Sequence, residues 1–108
     1  PDMEAMSNAS PDGAEHFPGW SLAALKYIYE TRNAAANGHE TLDTDASKEA
    51  AAAGDLACER YVLKMGRLQI ALLCNLDLVA AAGAVLIAAW PRFEGATGLP
   101  VRVWALTE

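Results

Sequence analysis

Positive charge is scarce in this sequence. Eight Lys and Arg stand against fourteen Asp and Glu among 108 residues, a formal net charge of −6. That balance leaves no basic footprint for a nucleic-acid backbone or an anionic membrane surface. Cysteine is also scarce: Cys58 and Cys74 form no Cys-x-x-Cys motif, which excludes a disulfide framework and makes a reducing, cytoplasmic setting the default. Long apolar runs are missing. The longest, Leu76 to Trp90, is interrupted by Asp77 and ended by Pro91, short of the roughly 18 to 20 residues a spanning helix needs. The opening Pro1-Asp2-Met3-Glu4 has neither the basic nor the apolar region of a secretory signal, and its lack of an initiator Met suggests processing or a segment of a longer chain. Aromatic residues make up only 7%, and alanine supplies much of the 53% hydrophobic fraction. An Ala methyl buries far less area than a Leu or Val side chain, so the core is light for its composition and the chain needs covering. The length suits one small domain or part of a larger one, and is too short for two.

Residues 1–16, rich in Ser, Asn, Asp, Pro and Gly without a period, read as an exposed arm or loop, and 17–108 as the structured part. Ser21 is a good N-cap, and Leu22, Leu25, Ile28 and Tyr29 recur at helical spacing, predicting an amphipathic helix from Ser21 to Arg32. Residues 33–38 are ambiguous, because Ala34-Ala35-Ala36 would continue a helix, Asn37-Gly38 would end one, and a short strand fits equally. Helical pieces are expected over Ser47 to Ala53, ended by Gly54, and over Leu56 to Lys64. Leu68 to Leu73 is a short apolar run. Ala84 to Ala89, with β-branched residues between Gly83 and Pro91, reads as a strand buried on both faces, and Val101 to Leu106 as a C-terminal strand. The class is α plus β.

His39, Glu40, Asp43 and Asp45 place one imidazole and three carboxylates within seven residues. Those are donors for part of a divalent-metal site, but the second His of a His-Glu-x-x-His helix and the Asp-x-Asp-x-Asp-Gly of a calcium loop are both missing. Spacing alone favours a polar loop with Asx-type turns. His16 has no second ligand nearby, Cys74 has no basic neighbour to activate it, and Gly95 and Gly98 make no phosphate-binding loop.

The order of four segments is nevertheless recognisable. Phe17-Pro18-Gly19-Trp20-Ser21, Gly38-His39-Glu40-Thr41-Leu42-Asp43-Thr44-Asp45, Gln69-Ile70-Ala71-Leu72-Leu73-Cys74-Asn75-Leu76-Asp77 and Gly95-Ala96-Thr97-Gly98-Leu99-Pro100-Val101-Arg102-Val103 resemble the C-terminal half of the cyclase family of metal-dependent hydrolases, which includes kynurenine formamidase and isatin hydrolase. The resemblance implies the C-terminal part of a swivelling β/α/β-type fold with a mixed sheet. It also implies hydrolysis of an amide, lactam or ester in a small-molecule substrate by water bound to zinc or manganese. The family's His-x-Gly-Thr-His-x-Asp metal motif is absent, so no metal ligand and no bound metal are expected for this chain alone. Ala71 stands where many members carry a metal-binding Glu. Glu59 stands where many carry a catalytic His, which makes Glu59 the candidate general base; a solvated helix Glu beside Arg60 is the bland alternative. In the family the His39 to Asp45 loop lies toward the active site, where His39, Glu40, Asp43 and Asp45 would orient substrate or support the site from behind. The implied partners are the missing N-terminal half or a companion chain, and further copies of the chain in a homo-oligomer. The contrary reading is a degenerate, non-catalytic module that binds a partner or small ligand.

Overall fold

The computed structural model describes residues 3–107. They fall into two compact units, divided between Cys74 and Asn75.

In the first unit a short helix α1 (Met3–Ser7) opens the chain. The predicted arm is thus partly helical and folds back on itself, with the His16 amide donating to the Ser7 carbonyl at 3.2 Å. It is also tied down: the Ser47 hydroxyl lies 3.0 Å from the Glu15 carbonyl and 3.2 Å from that of Phe17. Helix α2 (Leu22–Lys26) is capped as expected, the Ser21 hydroxyl accepting from the Ala24 amide at 3.2 Å. It continues as a π-helical turn, Tyr27–Thr31. The helix stops at Asn33, whose φ of 49° is a left-handed conformation that Asn tolerates better than most residues. Of the alternatives for the following segment the strand is the one formed, as β1 (Ala36–Gly38).

Helix α3 (Ser47–Ala53) ends at Gly54, which adopts φ 61°, ψ 31°, the left-handed C-cap for which glycine has no steric cost. Helix α4 (Ala57–Lys64) follows and buries Cys58 and Val62, four residues apart on one face. They meet Leu25 and Tyr29, and Trp20, Ile28, Ala34 and Tyr61 pack around these four. This is the light core the composition predicted. Strand β2 (Leu68–Ile70) pairs parallel with β1, Ala36 opposite Leu68 and Gly38 opposite Ile70. The pairing runs on into the next loop, where the His39 amide donates to the Ile70 carbonyl at 3.0 Å and the Leu73 amide to the His39 carbonyl at 3.0 Å.

The second unit holds a 3-10 turn, Leu76–Leu78, and two strands, β3 (Val85–Ala89) and β4 (Arg102–Leu106), paired antiparallel with Ile87 opposite Trp104. Both strands stand where the sequence predicts them. The expected burial of β3 does not occur: Val85, Leu86 and Ile87 are all exposed. A continuous apolar run is compatible with burial on both faces, but burial depends on layers that these residues do not themselves supply. With one parallel and one antiparallel pair beside four helices, the architecture is α plus β.

Candidate functional site

Residues 39–45 leave β1 as a loop held at both ends. At one end lies the pairing with β2. At the other, the Trp20 amide donates to the Thr44 carbonyl at 2.8 Å. Gly19 is needed for that approach, since a Cβ there would collide with the backbone of residues 44–46. The Phe17-Pro18-Gly19-Trp20-Ser21 segment therefore seats the loop.

Within the loop His39 is buried and both of its ring nitrogens are engaged. Nε2 lies 3.1 Å from the Thr44 hydroxyl, which donates to Gln69 Oε1 on β2 at 2.8 Å. Nδ1 lies 3.0 Å from the Thr41 hydroxyl and 3.1 Å from the Thr41 carbonyl oxygen. The Thr44 hydroxyl gives its proton to Gln69 and the Thr41 hydroxyl donates to the Asp43 carbonyl at 3.0 Å, so both ring nitrogens face oxygen atoms held in place by the loop and by β2. Burial lowers the pKa of His39, opposed by the Thr41 carbonyl and the nearby Asp43 carboxylate. The imidazole thus fastens the loop to β2 from inside.

Asp45 is buried as well, and its carboxylate faces the start of α4. Oδ1 accepts from the Cys58 amide at 2.8 Å and Oδ2 from the Glu59 amide at 2.9 Å. These are unpaired donors of the first helical turn, satisfied by an anion at the positive end of the helix dipole. Leu56, the residue before α4, offers no side-chain cap. Asp45 supplies that cap from eleven residues upstream. Asp43 accepts from the Thr44 amide at 2.6 Å and is half-buried.

A cleft of about 1400 Å³ lies against this loop, lined by Asp43, Asp45, Lys48, Glu59, Arg60 and Leu63 together with His16 and Phe17. Glu59, half-buried, projects from the first turn of α4. Its pKa is raised, first by burial and then by the Asp43 and Asp45 carboxylates. Of the residues singled out from the sequence, the fold brings Asp43, Asp45 and Glu59 to one cleft. His39 stands behind the loop rather than in the lining, and Glu40 is exposed outside the lining. Ala71 is exposed in the loop after β2.

Thr41, Thr44 and Gln69, which orient His39, were quoted within the recognised segments but not singled out. Their spacing of 25 residues between Thr44 and Gln69 carries no local signal. The sequence also gives no sign of the buried amide nitrogen of Asn37 and the buried His16 Nδ1 at the cleft, neither of which has a hydrogen-bond partner among the described residues. Cys58 contacts the Trp20 carbonyl at 3.2 Å, and burial together with Asp45 pushes its thiol up to about 11, the inert behaviour of a packing group. Neither cysteine is in a disulfide.

Among the described residues no group of three His, Cys, Asp or Glu side chains is placed to hold a metal ion. Nor, among these residues, is any helix long and apolar enough to cross a membrane. No protein-family model matches the chain. Two proteins do. Isatin hydrolase of Roseibium aggregatum is 31% identical over 105 residues, which are 97% of this chain and 39% of that protein. Isatin hydrolase A from Ralstonia solanacearum superposes with a TM-score of 0.85 at 34% identity, over 99% of this chain and 40% of its own. The chain is therefore homologous, along nearly all of its length, to a segment of the isatin hydrolases, of whose length it spans about two fifths.

Proposed function

We propose that this chain is the C-terminal part of a cyclase-family hydrolase that opens an amide, lactam or ester bond in a small molecule, and that it is inactive without the part it lacks. The observation that carries this reading is the similarity to two isatin hydrolases over 97% and 99% of the chain. A cyclic lactam of the isatin type is accordingly the first substrate to try.

The family resemblance brings with it zinc or manganese, which would supply an activated water. The residues of this chain do not fit as its ligand set. His39 has both ring nitrogens engaged within its loop, and no triad of donors forms among the described residues. Metal binding is therefore assigned to the complementary part, supplied by the rest of the protein or a companion chain.

What this chain contributes is the wall of the cleft. Glu59 is the proposed general base: partial burial and two neighbouring carboxylates raise its proton affinity, so its ionised form is a better acceptor than a solvated Glu. Asp45 fixes the backbone from which Glu59 projects, and His39 with Thr44 and Gln69 fixes Asp43 and Asp45 in turn. His39 and Asp45 thus act by positioning. Assembly as a homo-oligomer and a cytoplasmic location complete the proposal.

The test is reconstitution. This chain, joined to the complementary part of isatin hydrolase A and loaded with zinc or manganese, is assayed for loss of isatin and then of other lactams, amides and formylated amines. Hydrolysis is expected, falling about 10²-fold or more in Glu59→Gln. A reconstituted, metal-loaded protein that turns over none of these would refute the hydrolase reading, and an unchanged Glu59→Gln would refute the role of Glu59.

A further inference from the structure

The second unit is an apolar ribbon with no core of its own. Every described side chain from Asn75 to Thr107 is exposed or only half-buried. In the β3–β4 pair, residues directly opposite one another share a face, which puts Val85 and Leu106 beside Ile87 and Trp104. They are 60%, 56%, 46% and 48% exposed. Their outer edges also lack strand partners among the described residues, since the sheet has only these two strands. An isolated two-stranded hairpin is at best marginally stable in water, and exposed apolar faces of this kind mark interfaces.

The conformation of the ribbon nevertheless follows that of a much longer protein. The superposition on isatin hydrolase A takes in 99% of this chain, ribbon included, with a TM-score of 0.85. The other 60% of that protein has no counterpart in this chain. A β-ribbon that cannot bury its own apolar face keeps the same shape in two sequences when the same neighbour covers it. We propose that the Val85–Ile87–Trp104–Leu106 face is the docking surface for the complementary part of an isatin hydrolase-like fold, which lies over this face and extends the sheet at its free edge. This rests on the reading of the chain as one part of such a protein, and it identifies where the two parts meet.

The test compares this chain alone with a chimera in which it replaces the homologous two fifths of isatin hydrolase A, and with the same two parts co-expressed as separate polypeptides. Hydrogen exchange is followed in peptides covering 85–89 and 102–106. Rapid exchange is expected in the isolated chain, and at least 100-fold slower exchange in the chimera or the co-expressed pair. Ile87→Lys and Trp104→Lys should abolish that protection, while Leu78→Lys, at an exposed position in the 3-10 turn outside the two strands, should not. Strands that exchange freely in both assembled forms, or protection indifferent to Ile87→Lys and Trp104→Lys, overturn the proposal. So does a ribbon already protected in the isolated chain and losing protection on dilution, which would make a second copy the occupant. Isatin hydrolysis is read separately. A protected but inactive chimera upholds the docking face and refutes the hydrolase reading, whereas an active one with a freely exchanging ribbon does the reverse.

Discussion

Replacing Asp45 tests whether a loop carboxylate holds helix α4 in place. In Asp45→Ala the amides of Cys58 and Glu59 lose acceptors now at 2.8 and 2.9 Å. Hydrogen bonds to a charged group contribute roughly 1.5–3 kcal/mol each, and a lost helix cap costs about 0.5–2 kcal/mol. These overlap, because they describe the same two bonds. Water can reach part of the helix start, since Glu59 is only half-buried, while Cys58 is buried. A loss of about 2–4 kcal/mol follows, with about 1–2 kcal/mol for Asp45→Asn, which keeps an acceptor but gives up the charge at the helix terminus. For a domain of this size each kcal/mol lowers Tm by about 4–8 °C. The assay is urea and thermal unfolding at pH 7, followed by far-UV circular dichroism. A second readout is Cys58, whose thiol is raised partly by Asp45; in Asp45→Asn it should react faster with a thiol reagent, measured against Cys74→Ser to isolate it. A change in stability below about 0.5 kcal/mol for Asp45→Ala, with Cys58 reactivity unaltered, would refute the capping argument.

Gly19→Ala should cost about 1–3 kcal/mol or prevent folding, because the added methyl meets the backbone of residues 44–46 rather than a movable side chain; equal urea midpoints would contradict this. Tyr29→Phe removes the 2.7 Å bond to Asn37 Oδ1, leaving a buried amide with neither end paired, and should destabilise by about 1–3 kcal/mol in urea unfolding. His39 has a lowered pKa in the folded chain, so the unfolded chain binds more protons. Its contribution is complete above about pH 6.5 and is lost as pH falls below that value. The stability gap between wild type and His39→Gln should therefore narrow between pH 7.5 and pH 5, and a constant gap would contradict the assignment. Glu59 has a raised pKa, which is the opposite case. It favours the folded state below its ordinary range and loses that contribution as pH rises, so Glu59→Gln should raise Tm at pH 7 while lowering hydrolysis in the reconstituted protein; a lower Tm would mean its charge is stabilised by contacts of another kind.

The two uses of carboxylate in the cleft explain why residue type alone could not assign roles. Asp45 and Glu59 both line it, yet Asp45 is spent on two backbone amides while Glu59 carries the raised proton affinity. The three-carboxylate loop that suggests metal ligation from its composition is organised from within by His39, Thr41 and Thr44.

Local chemistry was enough for the element boundaries set by caps and turns. Ser21 starts α2, Gly54 ends α3 in a left-handed conformation, and the apolar runs before Pro91 and after Pro100 become β3 and β4. These depend on side-chain and backbone preferences acting over three or four residues. The light, alanine-diluted core was also legible, because it follows from composition, and so were the recognised segments that point to the isatin hydrolases. What only tertiary structure decided involves groups far apart in the chain. Asp45 caps a helix beginning at residue 57, Gln69 orients His39 through Thr44, and Asn37 answers Tyr29. The burial of β3, inferred from its unbroken apolar run, failed for the same reason. A strand's pattern states which faces can be buried, but only the layers packed against it determine whether they are, and those layers are not encoded in the strand.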